Sequence, residues 1–477
     1  MLLKFKRLCK SKNLFRILCV VFLVRYIFRA LISEQGNSTR FPADEPFINL
    51  KIDKVFGNIS SPEPDFESWE TKRDVACDGH FIVYNKSFVV LENSIAVPDL
   101  FKAINFGGEP LNEVLLQPET REYFHLKTGA FEIAGCSKNE LSIKKYLLHS
   151  IFTDFLRDFL LNSTIQNYHL DATKTIPGLV IAITRYEYAN FYHTVTDWYN
   201  AFLVMSFLNF SPAKTSILLV DTHPKSHFDN IWRTLFRKVY RVHELSPRTQ
   251  FEKLAWGIVG YKSLMTQFHS FARLPLVEEF RQFFLQSFGI PSQYRQGINC
   301  ANLNIILILR HDYIAHARNP EGKIGRKMKN EKQILSTIKS AFPQHNVSGV
   351  QLEMFPMSQQ LSLISSTDIL IGVHGAGLTH GLFLPSHGAI VELYPDHFVD
   401  AAHFSSIARW RGLLFNRYTS KYQSRNEDYS KFSADDIVNM LRKRVIRKMC
   451  NLPSYTSASS STGIYHSFIL LCVFISL

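Results

Sequence analysis

Three segments of this chain hold residues whose types and spacing could do chemistry. The first is Asn190-Phe-Tyr-His-Thr-Val-Thr-Asp-Trp-Tyr-Asn200, dense in imidazole, carboxylate, hydroxyl and aromatic groups. His193 and Asp197 are four apart, which on a helix puts both on one face, close enough to share a proton or act on one substrate. Either could serve as the general base that takes a proton from a hydroxyl, and Tyr192, Trp198 and Tyr199 could hold a sugar acceptor. The competing reading is an ordinary helix start, with Asp197 paired to a cation and the aromatics in the core. The second segment is Ile305-Ile-Leu-Ile-Leu-Arg310, a buried-strand run that delivers an arginine to its end, followed by a basic loop through Lys323, Arg326 and Lys327. Arginine binds two phosphate oxygens at once, so Arg310 with Arg326 or Lys327 is a candidate clamp for a diphosphate; a solvated basic loop is the alternative. The third is His374-Gly-Ala-Gly-Leu-Thr-His380, directly after the apolar run that ends at Val373. Gly375, Ala376, Gly377, Leu378 and Thr379 read as a tight turn into a helix start, whose free amides suit phosphate oxygens, although such turns also serve packing alone. Glu392 ends the next apolar run and could accept hydrogen bonds from ribose hydroxyls or form a plain salt bridge.

These residues need strands and helices to position them. After Pro177 the pattern predicts strand 179–183, helix 193–208, strand 216–220, helix 228–239, strand 255–259 and helix 276–288. A second series predicts strand 304–309, helix 330–342, strand 350–354, helix 358–366, strand 368–373, a helix near 379–384 and strand 389–393. Strands alternating with helices imply parallel α/β sheets, whose ligands sit at the carboxyl ends of the strands, where Arg310 and His374 both fall. Residues 75–150 mix short β-rich runs with a helical stretch over 140–160.

At 477 residues, 46% hydrophobic and 13% aromatic, the chain can bury large cores. Residues 1–32 hold eight basic residues and no acid, so they supply eight of the thirteen net positive charges and leave five elsewhere, which argues against nucleic-acid binding. Residues 1–13 read as a cytoplasmic tail and 14–32 as an uncleaved signal anchor, with a cleaved signal peptide as the alternative. Residues 33–72 read as a stem. An acceptor-side α/β domain over 73–290, a nucleotide-sugar domain over 291–450 and a Ser-rich, apolar tail over 451–477 complete the expected order. Sequons at Asn37, Asn58, Asn85, Asn162, Asn209 and Asn346 agree with a luminal body. Disulfides are expected among Cys77, Cys136, Cys300 and Cys450, their pairing open. No C-x-x-C or His cluster suggests zinc, and no D-x-D motif follows a strand, so a metal is not expected.

In this order the motifs resemble glycosyltransferase family 61, and within it the branch that adds xylose to N-glycan cores. The resemblance rests on Asn190 to Tyr199, on Leu309-Arg-His-Asp-Tyr-Ile-Ala-His-Ala317 with Gly322-Lys323 and Asn330-Glu331, on Ile371-Gly-Val-His-Gly-Ala-Gly-Leu-Thr-His380, and on His403-Phe-Ser-Ser-Ile-Ala-Arg-Trp-Arg-Gly412. It covers about residues 75–445. The basic pair before Asn330 is Arg326-Lys327, with Lys where the family has a second Arg. The resemblance implies a GT-B architecture of two facing Rossmann-type domains with the site in the cleft, and a single-pass type II Golgi membrane protein. It also implies metal-independent, inverting transfer from a UDP-sugar, UDP-xylose, to the β-mannose of an N-glycan core. A family relative adding N-acetylglucosamine to protein or O-mannose, and a non-enzymatic luminal glycan-binding module, are the alternatives.

Overall fold

Two sheets carry the fold, and their strand orders decide where a ligand can sit. The computed structural model describes residues 66–134 apart from 86, 160–166, 171–258, 263–267, 273–291, 297–396, 401–422 and 429–451. All of these fall in one of the two units into which the chain divides, Ser60–Leu477. The expected tail, anchor and stem, most of the 140–160 helix and the apolar C-terminus lie outside the described residues. Among the described residues, no helix is long and apolar enough to cross a membrane.

The first sheet has nine strands: β1 (Arg73–Ala76), β2 (Phe81–Tyr84), β3 (Phe88–Ala96), β4 (Phe131–Ala134), β5 (Ser163–Gln166), β6 (Lys174–Ile183), β7 (Thr215–Leu219), β8 (Lys238–Arg241) and β9 (Thr249–Trp256). Its main order is β1-β2-β3-β9-β6-β7-β8. The four strands β9, β6, β7 and β8 pair in parallel, as the alternating pattern predicts, while β1 to β3 add an antiparallel flank. Leu179 to Ile183 form an unbroken buried run, the signature of a strand covered on both faces. The helix expected over 228–239 is half right: α3 (Asp229–Leu235) ends at an extended Phe236, and Lys238–Arg241 instead pairs with β7. Before it, and after the short α1 (Phe66–Thr71) that precedes the first sheet, α2 (Phe191–Phe207) begins where the Asn190 side chain accepts the amides of Tyr192 and His193. Further on, α4 (Val277–Ser287) packs its apolar face inward.

The second sheet has five parallel strands: β10 (Asn304–Ile308), β11 (Asn346–Val350), β12 (Ile369–Val373), β13 (Ala389–Tyr394) and β14 (Leu414–Thr419), ordered β11-β10-β12-β13-β14. β11 lies earlier than the expected 350–354. Helices α5 (Glu331–Ala341), α6 (Met357–Ser365) and α7 (His403–Trp410) connect these strands, and α8 (Ala434–Met440) follows them. In place of an α-helix near Thr379, the chain forms a 3-10 helix, Ala376–Phe383. Close approach explains it: Leu378 lies on Gly372, Ile308 on Gly377 and Ile390 on Gly381, each within the space a Cβ would need. One apolar core joins the two sheets through α2, where Trp198 meets Phe284 and Phe284 meets Phe383. Cys300–Cys450 forms a disulfide; Cys77 is also disulfide-bonded, and Cys136 lies outside the described residues.

Candidate active site

Strand order in the second sheet reverses between β10 and β12, and open parallel sheets bind ligands outside the carboxyl ends of strands at such a switch point. Arg310 leaves β10 there and the 374–377 turn leaves β12. They touch: a Cβ on Gly375 would lie 2.4 Å from Arg310 Nη1, so only glycine lets the guanidinium lie across this turn. Arg310 donates to the carbonyl of Gly325 at 3.2 and 3.3 Å, and Arg326 Nη1 donates to the carbonyl of His374 at 2.9 Å. Among the described residues Arg310 forms no ion pair. Burial, then the like charge of Arg326, pull its pKa down to about 10. Two cations converge beside the first amides of a helix, Ala376 and Gly377, which lack carbonyl partners within it. The arrangement suits a dianionic ligand.

Arg326 and Lys327 part company. Arg326 takes a left-handed backbone, φ 60°, and turns to the glycine turn. Lys327 opens a short strand paired with Tyr429–Ser430, and its ammonium binds Asp312 at 2.7 Å, away from the clamp. His374 is buried; its Nδ1 lies 2.5 Å from Glu392, whose other oxygen accepts from Arg417 Nε at 2.6 Å. Of the two roles expected for Glu392, the salt bridge is what the fold contains: its carboxylate is fully buried and orients His374. Leu378 and Thr379 face the interior.

The first turn of α2 packs against this region. Phe191 stacks on His380 at 4.3 Å, and Tyr192 meets His403 edge-on at 4.8 Å, with His403 6.0 Å from His374. The hydroxyl of Tyr192 donates to the carbonyl of Met265. His193 is half-buried, its ring edge-on to Tyr186 at 4.8 Å, and burial lowers its pKa against the opposing pull of Glu187. Asp197 is completely enclosed and accepts the amide of Tyr186. Trp198 and Tyr199, expected to hold a sugar, are corrected by the structure. Both rings are fully buried, Trp198 among Phe191, Phe228, Trp232 and Phe284, and the Tyr199 hydroxyl donates to Pro275 O at 2.6 Å. A ring with no exposed face cannot stack on a sugar.

Sequence reasoning missed a polar network at the carboxyl ends of the first sheet. Arg185 binds Asp221 and Asp229, Arg241 binds Asp229, and His223 bridges Glu122 and the Arg185 carbonyl, all largely buried. The loop after β10 docks on it: Tyr188 lies between the rings of His223 and His316, and Arg318 pairs with Glu119. The clustering of Asp221, His223 and Asp229 was the one available signal. Among the described residues there is no group of three or more His, Cys, Asp or Glu arranged to hold a metal ion.

Comparison with known proteins matches residues 191–391 to the family model described as glycosyltransferase 61, the span that runs from α2 through the clamp and the glycine turn into β13. The chain is 26% identical over 370 residues to a β-1,2-xylosyltransferase of Oryza sativa subsp. japonica, across 71% of this chain and 68% of that one. It is 25% identical over 385 residues to a β-1,2-xylosyltransferase of Arabidopsis thaliana, across 67% and 71%. An EGF domain-specific O-linked N-acetylglucosamine transferase of Drosophila melanogaster is 25% identical over 335 residues, across 64% and 59%. Motifs, switch-point geometry and family match agree, and this chain carries a glycosyltransferase family 61 domain.

Proposed function

We propose that this protein is an inverting xylosyltransferase that moves xylose from UDP-xylose to the core β-mannose of N-glycans in a β-1,2 linkage. The observation that carries the proposal is the Arg310 and Arg326 pair at the switch point, two cations beside the glycine turn, with Arg310 in no ion pair among the described residues. In the proposed step the acceptor hydroxyl oxygen attacks the anomeric carbon while the bond from that carbon to the diphosphate oxygen breaks. UDP leaves with the electron pair, and the hydroxyl proton passes to the base. Arg310, Arg326 and the amides of Ala376 and Gly377 would stabilise the charge growing on the leaving diphosphate, each well-placed donor contributing roughly 3 to 4 kcal/mol. This set can neutralise the leaving group without a metal.

Between the two candidate bases, geometry favours His193. It is only half-buried, and its lowered pKa favours the neutral, proton-accepting imidazole, whereas Asp197 is completely enclosed. Asp197 then fixes the Tyr186 amide and so the loop that precedes the base. The choice of xylose draws on the two plant relatives, which align over more of this chain than the fly enzyme does. The fly relative supports a second reading, transfer of N-acetylglucosamine to protein, with the same donor clamp. We further place the catalytic body in the Golgi lumen behind an N-terminal membrane anchor. Exposed sequon residues Asn209 and Asn346 and the Cys300–Cys450 disulfide fit an oxidising lumen. The test is incubation of the luminal domain with a panel of UDP-sugars and a truncated N-glycan, with and without chelator, read by mass spectrometry. A pentose added in chelator supports the proposal; transfer of N-acetylglucosamine alone, or activity lost to chelator and restored by manganese, overturns it.

A further inference from the structure

One buried ring in the 3-10 helix reaches three parts of the site at once, and no step of the transfer uses it. The Nδ1 of His380 lies 2.8 Å from the carbonyl of Gly377, in the donor turn. Its Nε2 lies 2.8 Å from the side-chain amide of Gln360 on α6. Its ring face stacks on Phe191, the first residue of α2, with centroids 4.3 Å apart. Burial pulls the His380 pKa down to about 4, against the opposing bond to Gly377, so the ring is neutral and carries a single proton. A backbone carbonyl can only accept, whereas a glutamine amide can turn either its oxygen or its NH2 to the ring, so that proton belongs on Nδ1 and donates to Gly377.

We propose that His380 is a positioning residue that couples the donor turn to the helix carrying the base. Its Nδ1–H ties down the carbonyl of Gly377, and with it the backbone of the glycine whose amide is offered to the diphosphate. A glycine has no side chain to restrain it, and this bond supplies the missing restraint. The face of the same ring fixes Phe191, two residues before His193, so the first turn of α2 cannot shift apart from the donor turn. Phe191 is backed by Phe228 at 5.7 Å and Trp198 at 6.2 Å, so it transmits position rather than yielding. Transfer needs the base and the departing diphosphate aligned about one anomeric carbon, and a misplacement of about 1 Å can cost 10²-fold in rate. His380 acts on both ends of that line while touching neither sugar.

The inference rests on the glycosyl-transfer reading of the same site but not on the choice of sugar. Its test compares His380→Asn and His380→Phe with the unaltered protein, measuring the Kd for UDP by calorimetry and kcat per calorimetric UDP site, so that an unfolded fraction does not count as lost turnover. Asparagine puts its amide nitrogen where Nδ1 stands and keeps the bond to Gly377 without the ring; phenylalanine keeps the ring without the bond. His380→Asn should bind UDP within about twofold of the unaltered protein and lose about tenfold in kcat. His380→Phe should raise the Kd for UDP about tenfold, the effect of one buried carbonyl left unpaired. Phe191→Leu should lower kcat as His380→Asn does, and the double variant no further, because both remove the same stack. Equal shifts of Kd in the two His380 variants, or kcat losses that multiply in the double variant, would overturn the coupling and leave His380 a core residue. A donor other than UDP-xylose would end the xylosyl reading alone, since the comparison runs with whichever UDP-sugar turns over.

Discussion

Replacing Arg310 with alanine should weaken UDP binding while leaving the empty protein as stable as before or slightly more so. The sign follows from its pKa. An arginine whose pKa drops on folding from its ordinary value to about 10 is penalised at every pH below that lower value, so the full cost is present at pH 7. Taken whole, that shift would be worth about 3 kcal/mol, but Arg310 is partly open to solvent, and screening leaves roughly 1 kcal/mol. Alanine removes this cost and the repulsion from Arg326, offset by lost packing of the arginine stem. The empty protein should therefore melt within a few degrees of the original or above it, about 2 to 4 °C per kcal/mol for a protein of this order of size. Binding moves the other way. A charge-assisted contact to phosphate is worth about 1.5 to 3 kcal/mol, so the Kd for UDP should rise about 10- to 100-fold. Calorimetry with UDP, beside thermal scans with and without UDP, reads both quantities. Unchanged UDP affinity, or an empty variant that melts far below the original, would refute the reasoning.

Gly375→Ala places a Cβ 2.4 Å from the Arg310 guanidinium and should lower UDP affinity much as Arg310→Ala does, with folding kept because a flexible side-chain end can move; UDP calorimetry checks it. Gly377→Val meets Ile308 at 3.3 Å and should act chiefly on stability, costing about 1 to 3 kcal/mol in denaturant titration. Trp198→Ala should cost about 3 to 5 kcal/mol of stability by the same method, without a selective rise in acceptor KM in the folded fraction. Reducing Cys300–Cys450, which links residues 150 apart, should remove about 2 to 5 kcal/mol, read as a lower melting temperature in reductant. With His193 as base, activity should fall as pH drops through its lowered pKa, so the acid limb of kcat should lie below the ordinary imidazole value of ~6.5 and vanish from the residual rate of His193→Ala.

Much of the fold was legible because its central strands are buried on both faces. Leu179 to Ile183 and Ile369 to Val373 are continuous apolar runs that no amphipathic helix would show, and the glycine turn and Arg310 stand at their ends. β11 was misplaced for the same reason in reverse: Asn346-Val-Ser-Gly-Val350 carries a serine and a glycine, and its pairing with β10 makes it a strand. The fate of Trp198 and Tyr199 could not be read locally. Nearly every residue of α2 is buried, so no polar face marks an inside, and only packing from α4 and the second sheet decides it. Arg326 and Lys327 were indistinguishable as neighbouring cations; a left-handed backbone at one and a strand partner a hundred residues away at the other send them apart.

The claim that the clamp and α2 form a single transferase site is tested most directly by the turnover of His193→Ala, with UDP affinity measured on the same preparation. The prediction is a fall in kcat of about 10²- to 10⁴-fold, the usual contribution of a positioned base, with UDP bound as before. Turnover near that of the unaltered protein would contradict it, placing the base outside this helix and leaving the aromatic row between His193 and His374 a matter of packing.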